Sequence, residues 1–153
     1  MNYLGILIFI FITILIIIIA ILITIAIDAL IRLVNPPDPV QNQILNTVTS
    51  LGSFIIIFLI FLIALGLIGI ILAYYYGNRV MSSTDWLFYT GLAIALFTLG
   101  VLILEIYTYR ELTLYRPDSD QITTVNSAQS DFIWAIGLTV LVLFISFVTL
   151  FFI

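Results

Sequence analysis

The chain has 153 residues, 64% of them hydrophobic and 8% charged, with a net charge of −4 and a mean hydropathy of +1.36. A soluble domain is about half apolar and a quarter charged, and one of this size has too little interior for so much apolar surface. The composition therefore indicates an all-α integral membrane protein whose solvent is largely lipid. The chain contains no Cys and no His, which excludes disulfides, thiolate and imidazole metal sites, and catalysis by those side chains. Its basic residues are four Arg, too few for a patch that would meet phosphate, so nucleic acid is not an expected partner.

The first apolar run, Leu4–Ile27, carries no charge. It is far longer than the apolar core of a secretory signal and has no basic residue before it. It therefore reads as an uncleaved membrane span, with the helix continuing to about Val34 before Pro36-Pro37. Near its end Asp28 and Arg32 lie four apart, acid before base, the favoured order for an ion pair on one helical face. Ala20 and Thr24 are small residues at helix-packing spacing.

The second span covers Leu51–Tyr75. Its helix starts earlier, because "DPVQ" offers Asp38 as N-cap, Pro39 at the first helical position and Gln41 as the capping-box partner. Val40, Ile44, Val48 and Leu51 then fall on one helical face, with Gln and Asn residues opposite. The helix is expected to run from about Pro39 to about Tyr76. Gly69 and Ala73 supply a second small-residue pair.

The third span covers Trp86–Tyr107, after the "YGNRVMSST" turn and the Ser82-Ser83-Thr84-Asp85 cluster. Its helix is expected to continue to Arg116, because Pro117 ends it. Gly91 and Ala95 form the third small-residue pair. Glu105 interrupts the apolar run less than one turn from its end. The expected place for it is the inner edge of a polar cap with Asp28, Arg32, Asn46, Arg110, Glu111 and Asp131, where the open question is whether it meets Arg32 or Arg110. The fourth span covers Phe132–Ile153, its helix starting at Ser127 or Ser130.

Four spans joined by short connections predict one domain over residues 1–153, an up-down-up-down bundle. All four helices overhang the bilayer on the side of connections one and three, forming a polar headpiece. Aromatics gather at both edges: Tyr74, Tyr75, Tyr76, Trp86 and Tyr89 at one, and Tyr107, Tyr109, Tyr115, Phe132 and Trp134 at the other. They read as interfacial belts. The headpiece side carries Arg32, Arg110 and Arg116 against Arg79 on the other, which places it inside and both termini outside.

No catalytic signature, cofactor motif or metal-ligand spacing occurs. The spans hold only hydroxyls at mid-depth (Thr13, Thr98, Thr139, Ser146 and Thr149), with no Pro kink or broken helix of the kind that lines ion pathways. The expected function is a non-enzymatic structural or accessory subunit of a membrane assembly, in an organellar complex or the internal membrane of a virion. Its partners would be lipids and other subunits that meet the headpiece. The alternative is a small transporter or channel component using Glu105 with the Asp28/Arg32 pair.

Overall fold

The computed structural model describes residues 3–33, 39–76 and 86–152. The described chain is all-helical: α1 (Tyr3–Ile31), α2 (Pro39–Tyr76), α3 (Trp86–Thr113) and α4 (Ile122–Phe152). Each helix is long and apolar enough to cross a membrane, which suggests a multi-pass integral membrane protein. The proposed N-cap Asp38, the Pro36-Pro37 break, Arg79 and the Ser82–Asp85 cluster lie outside the described residues.

The helices form a square in which α1 packs against α2 and α4, and α3 against the same two. What aligns them is a repeat hidden inside the apolar spans. Along α2 the buried positions are Leu45, Val48, Gly52, Ile55, Leu59, Leu62, Gly66, Gly69 and Ala73, in strict alternation of three and four. The same alternation links Phe9, Ile12, Ile16, Ile19, Ile23 and Ala26 on α1, Gly91 through Thr98, Glu105 and Leu112 on α3, and Val125 through Phe132, Thr139 and Ser146 on α4. A seven-residue repeat keeps one seam facing the neighbouring helices and is the pattern of a left-handed bundle. In lipid, where association rests on close packing, small seam residues let backbones approach. A Cβ added to Gly52 would meet the Ile27 side chain, one on Gly66 would meet Thr13, and one on Gly69 the Phe9 ring. As residue numbers fall along α1, their contacts rise along α2.

Helix ends differ from the sequence reading in three places. α1 closes at Ile31, with Leu33 N–H bonding Leu30 O at 3.2 Å in a tightened last turn. α3 ends at Thr113, not Arg116, because Leu114 and Tyr115 N–H turn back to the carbonyls of Glu111 and Leu112, both at 3.1 Å. α4 starts at Ile122, well before Ser127 or Ser130. Its first bond is Val125 N–H to Gln121 O, at 3.0 Å. The polar stretch "ITTVNSAQSD" reads as a loop by composition, yet Val125, Ala128 and Phe132 keep the seam spacing and are buried.

The face assigned to the start of α2 is also corrected. Val40 is 63% exposed, and only Val48 of the four residues named is fully buried. The seam instead passes through Leu45. Two aromatics leave the edge belts. Tyr115 and Phe132 are buried in the core, filling the interior where α3 ends and α4 begins. Tyr74, Tyr75, Tyr89, Tyr107 and Trp134 remain exposed.

Candidate functional site

The bundle has two unlike halves. The α1 and α2 seams are almost wholly aliphatic, aromatic or Gly, while the α3 and α4 seams bury Thr98, Glu105, Thr108, Thr139, Ser146 and Thr149, and Gln121 is buried in the turn before α4. A helical Ser or Thr can hide its hydroxyl by bonding the carbonyl four residues back. Thr108 does so to Leu104 at 2.6 Å, Ser146 to Val142 at 2.8 Å, and Thr149 to Ile145 at 2.7 Å. On α1, Thr13 does the same to Phe9 at 2.7 Å. Thr98 Oγ1 is buried without a partner among the described residues.

Glu105 is the exception in kind. It is fully buried, and Thr139 Oγ1 lies 2.9 Å from each of its carboxylate oxygens. That same hydroxyl is 2.7 Å from the carbonyl of Ala135. Two helices are thus joined by a polar contact on the bundle axis. Thr139 lies well inside α4 and not at its end, so the partner of Glu105 belongs to the body of the bundle.

The expected cap is not assembled as one cluster. Asp28 and Arg32 form their local ion pair at 3.1 Å, with side chains 58% and 77% exposed respectively. They border an open groove between α1 and α4 with Thr124. Such an exposed pair contributes about 0.3–0.5 kcal/mol. Glu105 meets neither Arg32 nor Arg110, because its position in the seam turns it inward. Arg110 and Asn46 are exposed, and Glu111 and Asp131 are half-buried. No group of three acids, Cys or His able to hold a metal occurs among the described residues.

Of the small-residue pairs, Gly69, Ala73, Gly91 and Ala95 lie buried inside the bundle. Ala20 is half-buried and Thr24 exposed, the Thr24 hydroxyl bonding Ala20 O at 2.7 Å. Gly52 and Gly66 are the close-approach positions that sequence reasoning missed. No small partner at i±4 marks Gly66, and for Gly52 the signal was the seven-residue step to Leu59 and on to Gly66.

The connection between α3 and α4 is tied down at two points. Gln41 on the first turn of α2 accepts the backbone N–H of Arg116 at 2.6 Å. Tyr115 O–H bonds Gln121 Oε1 at 3.0 Å. Burial, and then the carboxylates of Asp118 and Asp120, push the Tyr115 phenol above the usual tyrosine range. Beside this tie, the outward side of α2 carries a shallow groove of about 480 Å³ lined by Asn42, Gln43, Asn46, Thr47 and Ser50.

No family model matches the chain, and comparison with known proteins and with solved structures likewise gives no match.

Proposed function

We propose that the chain is a non-enzymatic, four-span structural or accessory subunit of a larger membrane-associated assembly, such as an organellar complex or the internal membrane of a virion. The bundle runs up-down-up-down, and its helices extend past the bilayer on the side of the first and third connections. That topology is supported by the way contacts rise along α2 as they fall along α1. The overhang is supported by length. At 38 residues, α2 spans about 57 Å, against a hydrocarbon layer of about 30 Å.

The observation that carries the reading is the face of α2 before Ser53. It is long, helical and exposed, and its groove is lined by the neutral amides and hydroxyls of Asn42, Gln43, Asn46, Thr47 and Ser50 between Pro39 and Leu51. Such groups bond a partner without the cost of burying an unpaired charge. The experiment replaces Asn46→Arg. The side chain is exposed, so the isolated bundle should melt unchanged. Co-migration with the native assembly in a mild-detergent gel should be lost. Wild-type chain running from its own membrane at the size of a lone bundle would sink the proposal.

The transporter reading has one feature in its favour, a carboxyl on the bundle axis. Against it, the Asp28/Arg32 pair faces outward and belongs to a different groove. Proton or ion flux lost from liposomes in Glu105→Gln, with assembly intact, would favour transport over scaffolding.

A further inference from the structure

Glu105 sits on the seam of α3 between Val101 and Thr108, fully enclosed. The ionisable groups of every neighbouring helix lie elsewhere. The half-buried Tyr109 is one turn farther along α3, Arg110 and Glu111 follow it, and Asp131 is nearer the start of α4. Asp28 and Arg32 on α1 are engaged with each other. Between Pro39 and Tyr75, α2 has no acid or base except Tyr74 and Tyr75 at its far end. Among the described residues, it is the Thr139 hydroxyl that lies within hydrogen-bonding distance of the carboxyl.

Counting protons then decides the arrangement. Thr139 Oγ1 is within bonding distance of three acceptors, the two Glu105 oxygens at 2.9 Å and Ala135 O at 2.7 Å. It has one proton to give. If that proton goes to Ala135, an ionised Glu105 receives nothing. If it goes to Glu105, one hydroxyl alone faces a buried charge with no cation. An unpaired buried carboxylate costs several kcal/mol. One further proton completes the set. Glu105 O–H then donates to Thr139 Oγ1, Thr139 donates to Ala135 O, and every donor has an acceptor.

We propose that Glu105 is a proton-binding site inside the bundle, occupied at neutral pH, whose bound proton completes a donor chain from α3 through Thr139 to α4. The site stands independently of the scaffold reading. Ionisation would remove the donor that faces Thr139 and leave its single hydroxyl proton contested between Glu105 and Ala135 O.

The chain has two glutamates, Glu105 and Glu111, so carbon-13 placed in the glutamate carboxyl gives two resonances. The full chain is reconstituted in zwitterionic lipid vesicles at neutral pH. One resonance should sit at the carboxylic-acid position and the other at the carboxylate position. The acid resonance should persist in Glu111→Gln, which alters a half-buried residue outside the seam. In Thr139→Val it should move, having lost its acceptor. A lone carboxylate resonance in Glu111→Gln would overturn the proposal without requiring that any seam variant fold. An acid resonance unmoved by Thr139→Val would overturn the donor chain.

Discussion

Thr98 and Thr139 both occupy seam positions and are both buried, but only one hydroxyl is spoken for. Thr139 serves Glu105 and Ala135, while Thr98 Oγ1 has no partner among the described residues. Burying an unsatisfied hydroxyl costs about 1–3 kcal/mol. Thr98→Val keeps the shape and removes that cost, so it should raise stability by about 1 kcal/mol. Thr139→Val should lower it by about 0.6–1.7 kcal/mol, the scale of polar contacts between membrane helices. Reversible unfolding in bicelles checks both, and a destabilised Thr98→Val would contradict the assignment. Residue type was legible here: Glu105 stood out in the sequence as the ionisable group inside an apolar run. Its direction was not. An acid two residues from the end of a span points to the rim or to the axis according to helix rotation, and rotation is fixed by packing.

Rotation was illegible for a reason that belongs to the helices themselves. A soluble helix advertises its buried side by contrast with a polar one. Inside lipid both sides are apolar, so the contrast disappears while the steric requirement for a seam remains. The α2 bounds Pro39 and Tyr76 could be read from capping residues and span length, which do not depend on that contrast. The start of α4 could not, since its seam there is set in Thr, Asn, Ser and Gln. Glycine gives the sharpest test at this scale. Gly66→Ala would drive a methyl against Thr13, whereas a Cβ at Gly100 meets nothing within 4 Å. Gly66→Ala is expected to destabilise by about 1–3 kcal/mol through overpacking. Gly100→Ala should be neutral or stabilising by up to about 1 kcal/mol, since Ala is the better helix former. Unfolding midpoints of the two variants measured side by side check the difference. Equal effects would mean that Gly66 is not a contact point.

For the molecule as a whole, composition was enough to indicate lipid as solvent, and the spacing of the apolar runs indicated four spans. The division of labour between the halves was not, because it depends on which hydroxyls face inward. The orientation expected from the proposed topology, with the three arginines on the side of the first and third connections inside, can be tested directly. The chain has no cysteine, so Ser119→Cys, in the exposed turn after α3, introduces a single thiol. In sealed right-side-out vesicles an impermeant maleimide should leave it unlabelled until the vesicles are opened; labelling from outside would reverse the orientation. The polar join between α3 and α4 also has a history in the making of the chain. Glu105 and Thr139 are separated by 34 residues, which a ribosome adds in about 2–7 s. For that interval Glu105 lacks the hydroxyl that it meets in the folded bundle, so the join between α3 and α4 can form only after the fourth helix has been made.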